Sequence, residues 1–275
     1  MISNLMVAVH TYNKNAEIDE GMLRHMILNS LRSYRKKFGE EYGELVLCCD
    51  GRNYWRKDVY PYYKAGRKKT RTESALDWTN IFETLNKIRD EIEEFFPYIV
   101  LTIDRCEADD IIGVLVQNKD PFEKVLILSG DKDFMQLQVN VGVDQYAPVQ
   151  KKFLRNPDPA KYLKEHILRG DSSDGIPNFL SPDDVFVRDG KKQSPIYAKK
   201  LEAWVEAEPK DFCTDEQLRN HNRNTILIDL DYIPEEIKTE IQTTFDNAKP
   251  GNRMKLLTYF IEHKLKNLMG VIQDF

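Results

Sequence analysis

Two long stretches of the chain repeat apolar residues at the spacing of an amphipathic helix. The first covers residues 19–38, and Gly39 is expected to end it. The second covers residues 77–96, where Asp77 can cap the first turn and a proline follows the last residue. The pattern therefore predicts two helices in the first third of the chain.

Short apolar runs lie between these helices and after them. They predict strands at 45–49, 98–103, 125–128 and 141–146, with a helix at 107–117. The run at 45–49 has no polar position, which is typical of a strand buried on both faces. Because strands alternate with helices, we predict an α/β fold whose central, mostly parallel sheet is flanked by helices.

The second half of the chain has a different pattern. From about residue 161 onward it is predicted to be helical, apart from a charged loop at 181–195. We therefore divide the chain into a catalytic α/β domain, 1–155, and a largely helical C-terminal region, 156–275.

Composition limits the classes of protein that fit this pattern. The 275 residues are 41% apolar and 31% charged, as in soluble globular proteins. The sequence shows no apolar run of membrane-spanning length and no signal-peptide pattern. Its four cysteines and five histidines lack the spacings of zinc ligands, so we expect reduced cytosolic thiols and no zinc site.

The charge is unevenly distributed although the net charge is −5. Residues 52–71, here called the basic strip, contain eight Lys or Arg residues and one acid. Five aromatic residues lie among them, a combination suited to stacking on unpaired bases while cations neutralise phosphates. The alternative is a solvated loop with some buried aromatics. The residues predicted to bind nucleic acid are Arg52, Arg56, Lys57, Tyr63, Lys64, Arg67, Lys68, Lys69 and Arg71.

Carboxylates follow the predicted strands, at the edge where parallel sheets form their sites. Each acid alone could equally be a helix cap or part of a turn. Together they would repel, by roughly 4 kcal/mol per pair at about 4 Å, unless cations are bound. Oxygen ligands favour Mg²⁺ or Mn²⁺, and two such ions can activate a water and stabilise a leaving oxygen. The candidate metal ligands are Asp50, Glu107, Asp109, Asp110, Asp131, Asp133, Asp171 and Asp174.

These motifs resemble, in their order along the chain, those of the 5′-nuclease superfamily. That superfamily includes flap endonucleases and the 5′ nuclease domain of bacterial DNA polymerase. Tyr54-Trp55-Arg56 and the segments 24–30 and 227–234 are similar to the bacteriophage RNase H branch of T-even type. The likeness extends over the whole chain.

The resemblance implies a Mg²⁺-dependent 5′→3′ exonuclease with flap endonuclease and RNase H activity, which removes RNA primers in the host cytoplasm. It implies that Asp50, Asp109 and Asp131 hold one ion, supported by Glu107 and Asp110, and that Asp133, Asp171 and Asp174 hold or orient a second. It further implies that Lys64 and Arg67 contact the reacting phosphate. A single-stranded-DNA-binding protein and a sliding clamp are the implied partners of a monomer.

The chain departs from the family at two places. Gly175-Ile176-Pro177 is not followed by the glycine-rich turn with which relatives grip duplex DNA. The first strand of the family and its aspartate are also absent, so we expect a truncated start and weak activity. Two alternatives stay open: a DNA-end-binding protein with impaired catalysis, and a PIN-type endoribonuclease.

Overall fold

The strands form two small sheets in the computed structural model, which describes residues 19–72, 77–188 and 190–275, without the side chains of 68–70. One sheet pairs two strands in parallel, β1 (Val46–Cys49) and β2 (Ile99–Thr102). The other has the order β3-β4-β5, with β3 (Val125–Leu128) parallel to β4 (Val143–Ala147) and β4 antiparallel to β5 (Lys152–Leu154). The α/β class and the parallel pairing are confirmed, whereas β5 was not predicted.

Helices precede and connect these strands in the first part of the chain. They are α1 (Glu20–Tyr42), α2 (Arg56–Val59), α3 (Gly66–Thr72), α4 (Trp78–Phe95), α5 (Ala108–Gln117) and a 3-10 helix, Asp133–Val139.

The second part of the chain is helical among its described residues, as predicted. Its helices are α6 (Pro159–Arg169), α7 (Ala198–Glu206), α8 (Pro209–Phe212), α9 (Asp215–Ile228), α10 (Glu235–Asn247), α11 (Leu256–Glu262) and α12 (Lys266–Met269), with 3-10 turns at Leu230–Tyr232, Arg253–Lys255 and Ile272–Asp274. Residues 225–230, a short apolar stretch of the sequence, form the end of α9 and the start of the turn after it.

The prediction for the first helix was wrong about its end. Helix α1 continues through Gly39 to Tyr42, and Gly43, at φ 81°, donates its backbone N–H to the Gly39 carbonyl. A side-chain contact favours this extra turn, because the Tyr42 hydroxyl donates to Asp144 at 2.9 Å. For α4 the prediction is confirmed: Asp77 accepts a hydrogen bond from the Asn80 amide and caps the helix.

Strand β1 is less buried than its apolar sequence predicts. Val46 is exposed and Leu47–Cys49 are only partly buried. The structure pairs β1 with β2 along one edge, and residues of β1 and of β3 both line one cleft. The described strands therefore form two sheets at this cleft rather than one continuous sheet.

The core has two large parts, and the end of the chain joins the first of them. Residues of α11, α12 and the terminal Phe275 pack against α1 and α4, together with the fully buried Phe96. The second part lies between β2, β3, α5 and α10. The boundary near residue 155 stays a prediction. The prediction that the first strand of the family is missing concerns the start of the chain, and residues 1–18 lie outside the described ranges.

No helix in the described ranges has the length and apolarity needed to span a membrane.

Candidate active site

Eight aspartates line one cleft of about 1940 Å³, and five of them, each from a separate element, are predicted metal ligands. Asp50 follows β1, Asp109 lies in the first turn of α5, Asp131 comes after β3, Asp133 begins the 3-10 helix and Asp171 follows α6. We call these five the cleft carboxylates. They collect here because the segments after β1, β3 and α6 and the starts of α5 and the 3-10 helix all line this cleft, although β1 and β3 belong to separate sheets.

The start of α5 brings Asp50 close to Asp109. Asp50 Oδ1 accepts a hydrogen bond from the Ala108 amide at 2.9 Å, which satisfies one of the free N–H groups at the helix start. Gly51 follows, and its amide donates to the Cys106 carbonyl at 2.9 Å. A β-carbon at Gly51 would overlap the Ile103 carbonyl, so this close crossing of two chain segments requires glycine.

A tight loop after α6 presents Asp171. Gly170 has φ 66°, and a β-carbon there would overlap the backbone of Ile176 and Pro177. The Asp171 carbonyl accepts from the Ile176 amide at 2.7 Å, and Asp171 Oδ1 accepts from the Ser173 amide and hydroxyl, each at 2.7 Å. This loop therefore holds the carboxylate in one orientation.

Three other predicted ligands are paired with cations inside the protein, and we call them the inner carboxylates: Glu107, Asp110 and Asp174. Asp110 is fully buried and accepts from Arg56 at 2.7 Å and from the Trp55 indole at 3.3 Å. Its second oxygen also accepts from the Glu107 amide, which closes a capping box at the start of α5.

Glu107 and Asp174 share a second set of donors. The Tyr63 hydroxyl donates to Glu107 at 2.6 Å and to Asp174 at 2.9 Å. Lys64 forms ion pairs with both carboxylates, and Arg67 binds Asp174 at 2.6 Å. Lys64 has φ 56°, an unusual conformation for a residue with a side chain, and its amide donates to the Asp174 carbonyl at 2.7 Å.

The cleft carboxylates lack this compensation. Among the described side chains, none of the five forms an ion pair with a lysine or arginine. Burial and the nearby Asp131 raise the pKa of Asp109 to about 8. Burial likewise raises the pKa of Asp133 to about 7, with Asp131 and Asp171 adding to the shift while His166 opposes it. A group of oxygen ligands that repel one another in this way fits divalent cations.

His166 is a site residue that the sequence patterns did not indicate. It lines the cleft from the last turn of α6 and lies between Asp133 and Asp171. Burial works against charge on Asp171, but the His166 ring and the hydrogen bonds from Ser173 hold its pKa well below the usual range. A histidine five residues before an aspartate matches no familiar ligand spacing, so only the packing of α6 reveals it.

The structure corrects several predictions for the basic strip. Arg56 is 3% exposed, and its guanidinium binds Asp110, Glu107 and the Leu227 carbonyl, so it cannot contact nucleic acid directly. Tyr63, Trp55 and Tyr60 are also buried, so their rings cannot stack on bases. Tyr60 and Tyr63 pack against Ile167 and Leu227 of the C-terminal region, and Trp55 packs in the second part of the core.

Four other strip cations lie at the surface. Arg52, Lys57, Arg67 and Arg71 are exposed, and all except Lys57 line the cleft. The Arg71 guanidinium lies over the Phe82 ring, 4.8 Å from its centroid. The side chains of Lys68 and Lys69 lie outside the described part of the chain. The surface cations thus lie beside the cleft carboxylates, as an electrostatic attraction for phosphate requires.

The fold and this paired arrangement of acids and cations define a protein of the 5′-nuclease type. Residues 7–165 match the family described as the 5′-3′ exonuclease N-terminal resolvase-like domain, and residues 161–275 match the T4 RNase H C-terminal family. The chain belongs to the 5′-3′ exonuclease family, in the branch that carries this C-terminal region.

Individual relatives agree with this assignment. The chain is 35% identical to ribonuclease H of Enterobacteria phage T4 over 282 residues, which cover 98% of this chain and 92% of the relative. The fold is similar to that of a T5 5′-exonuclease with bound zinc, with a TM-score of 0.59, 16% identity and coverage of 88% of this chain and 94% of that one. A T5 flap endonuclease in a pseudo-enzyme–product complex with DNA and metal ions gives a TM-score of 0.56, 18% identity and coverage of 78% and 88%.

Proposed function

We propose that the chain is a Mg²⁺-dependent 5′→3′ exonuclease and flap endonuclease with RNase H activity, which removes RNA primers and 5′ flaps during DNA replication. One observation carries the proposal: five carboxylates share a cleft and have no lysine or arginine partner among the described side chains, while the exposed Arg52, Arg67 and Arg71 line the same cleft. Family membership supports a nuclease, and the zinc and metal–DNA complexes of the T5 relatives support divalent ions and DNA as ligands.

The cleft carboxylates are the residues that would hold the cations. We propose Asp50, Asp109 and Asp131 for the first ion and Asp133 and Asp171 for the second, with Mn²⁺ able to replace Mg²⁺. The bound ions would supply an activated water and charge stabilisation for the leaving oxygen. The inner carboxylates take a different part, because their oxygens are already bound to Arg56, Lys64, Arg67 and Tyr63.

Lys64 and Arg67 are the proposed contacts to the reacting phosphate. Lys64 is held by Glu107 and Asp174, and its charge also reaches Asp109 in the cleft. Arg67 lines the cleft with 44% of its side chain exposed. The inner carboxylates thus position both cations, which would donate hydrogen bonds to phosphate oxygens and stabilise the charge that develops there.

The nucleic acid would approach along the exposed part of the basic strip. Arg52, Lys57 and Arg71 are the surface cations described there, and Lys68 and Lys69 complete the proposal from the sequence. Cations on phosphates provide affinity without reading the bases, as suits an enzyme that recognises ends and flaps. A single-stranded-DNA-binding protein and a sliding clamp are further proposed partners of a monomeric enzyme.

A cleavage assay tests the proposal directly. The chain is incubated with a 5′-flap DNA and with an RNA–DNA hybrid, each labelled at its 5′ end, in Mg²⁺ and in EDTA. We expect short 5′ products from both substrates that disappear in EDTA. Binding of the flap without cleavage in Mg²⁺ would instead identify a DNA-end-binding protein, and internal cuts in single-stranded RNA alone would point to a PIN-type endoribonuclease.

A further inference from the structure

We propose that His166 is a nitrogen ligand of a divalent transition-metal ion bound together with Asp133 and Asp171. This donor set of one imidazole and two carboxylates would make the second ion site select Co²⁺ or Zn²⁺ over Mg²⁺. The inference rests on the proposed function only in placing a cation at Asp133 and Asp171.

Geometry is the first support. His166 Nδ1 lies 3.7 Å from Asp133 Oδ1, and Nε2 lies 3.6 Å from Asp171 Oδ2. Both distances exceed those of a direct hydrogen bond. One ligand atom from each of the three residues lies within 4.8 Å of the other two. Ligands about 2.1 Å from a shared metal ion are roughly 3–4 Å apart, so small side-chain rotations complete the site.

The state of the ring is a second, independent observation. His166 Nδ1 is buried and has no hydrogen-bond partner among the described residues. An unsatisfied buried polar atom is rare and calls for a ligand or a functional reason. The ring nonetheless lines the cleft, so an ion that enters the cleft can reach it.

The site is built on rigid elements. His166 lies in the last turn of α6, where its carbonyl accepts from the Gly170 amide at 2.8 Å. Tyr162, one turn earlier, packs its ring 5.9 Å from the imidazole. Helix α6 also packs against the 3-10 helix that begins at Asp133. Helix packing therefore brings His166 and Asp133 together, and the tight, hydrogen-bonded loop after α6 holds Asp171 beside them.

The chemistry of the donors sets the selectivity. Mg²⁺ prefers oxygen ligands, whereas imidazole suits the later transition ions, whose affinities rise from Mn²⁺ through Co²⁺ toward Cu²⁺. Asp50, Asp109 and Asp131 form the proposed first ion site. Among the described residues, no histidine joins these three aspartates in a group of possible metal ligands. His166 thus distinguishes the second ion site from the first.

Pulsed electron paramagnetic resonance of the Mn²⁺-loaded full chain, without nucleic acid, tests ligation directly. We expect the nitrogen modulation of a coordinated imidazole in the wild type and its loss in His166→Ala. The matched control is His221→Ala, because His221 also has a buried Nδ1 without a partner but lies outside the cleft lining. A wild-type spectrum without nitrogen coupling would overturn the proposal whether or not the variants fold.

Calorimetric titration at one pH then tests selectivity. His166→Ala should lower Co²⁺ affinity by about tenfold or more while changing Mg²⁺ affinity by less than about threefold. An equal rise in affinity for both ions would show that the ring is only a counter-charge for the two aspartates, and the proposal would fail. Since neither measurement involves cleavage, an inactive enzyme that keeps the nitrogen coupling would reject the proposed function alone.

Discussion

The inner carboxylates and the cleft carboxylates meet at the start of α5 and have opposite surroundings. Asp110 is fully buried and bound by Arg56 and Trp55. Asp109, the adjacent residue, faces the cleft, and burial together with Asp131 raises its pKa to about 8. The same residue type, one position apart on a helix, therefore has two different roles, because the helix turns it toward a cation or toward other carboxylates.

This contrast separates structural acids from proposed metal ligands more clearly than position along the sequence does. A carboxylate that the fold already neutralises gains little from a metal ion, whereas a group of carboxylates left to repel one another gains its counter-charge from solution. Glu107 and Asp174 belong to the first class, since Lys64, Arg67 and Tyr63 bind them.

Replacing a cleft carboxylate should have the largest effect on cleavage. Asp131→Asn removes a proposed metal ligand, so the activation free energy in Mg²⁺ should rise by several kcal/mol and turnover should fall roughly a thousandfold. Flap affinity should change little, because it depends on cations at the phosphates. Single-turnover rates and binding isotherms measure the two effects, with Asp211→Asn on exposed α8 as control. An active Asp131→Asn enzyme would remove the distinction between the two sets.

Removing an inner cation should instead damage the fold. Arg56→Met leaves Asp110 and Glu107 buried beside an apolar side chain, which should lower the free energy of unfolding by about 3–5 kcal/mol. Urea unfolding measures the loss. The neighbouring Lys57 is exposed, and Lys57→Met should change stability by less than about 0.5 kcal/mol. Equal effects of the two variants would contradict the assignment of Arg56 to the interior.

Much of this arrangement was visible in the sequence. Asp50, Asp131 and Asp133 line one cleft, as expected of acids that follow parallel strands, although β1 and β3 belong to separate sheets. Their roles as metal ligands stay a prediction. The sequence could not separate Asp109 from Asp110, because both lie in the first turn of α5. The two differ in which of them points toward Arg56, and that residue is Asp110. Helix periodicity shows which residues share a face, but the direction in which that face points depends on the positions of the neighbouring elements.

The prediction for the basic strip was wrong in part for a related reason. Eight cations and five aromatics in twenty residues predict a nucleic-acid surface, but the pattern cannot show which of them turn inward. Burial of Arg56 depends on the Leu227 carbonyl and on Asp110, both distant in the chain. His166 was missed because its partner Asp133 is joined to it only through the packing of α6. In each case the position of the side chain depends on contacts between segments that are distant in the sequence.

Stability of the metal-free protein should fall as pH rises, because of Asp109. The unfolded carboxyl loses its proton near pH 4, whereas the folded one keeps it to about pH 8. Between these values the unfolded state binds fewer protons, so folding is progressively disfavoured. In EDTA, Asp109→Asn should therefore stabilise the protein by about 1–2 kcal/mol more at pH 8 than at pH 5. Urea midpoints that shift equally at both pH values would show that Asp109 ionises normally.

Lys64 connects the two sets, and its replacement should act mainly on turnover. Lys64→Ala removes a cation that Glu107 and Asp174 hold beside the cleft. Turnover should therefore fall by more than about tenfold, which corresponds to a rise of roughly 1.4 kcal/mol in the activation free energy. Affinity should fall less, and Lys64→Arg should recover part of the rate. A loss of affinity alone would make Lys64 only a phosphate anchor.

The smallest effect is expected for Lys68, Lys69 and Arg71, the cations of the basic strip that we propose act in binding rather than in folding or chemistry. Log affinity should fall linearly with log salt concentration, since each neutralised phosphate releases counterions. Replacing Lys68, Lys69 and Arg71 with Ala should flatten that slope by about 2–3, because three contacts are lost. The matched triple at Lys199, Lys200 and Lys210, exposed on α7 and α8, should leave the slope unchanged. Equal slopes for both triples would place the nucleic-acid path away from the basic strip.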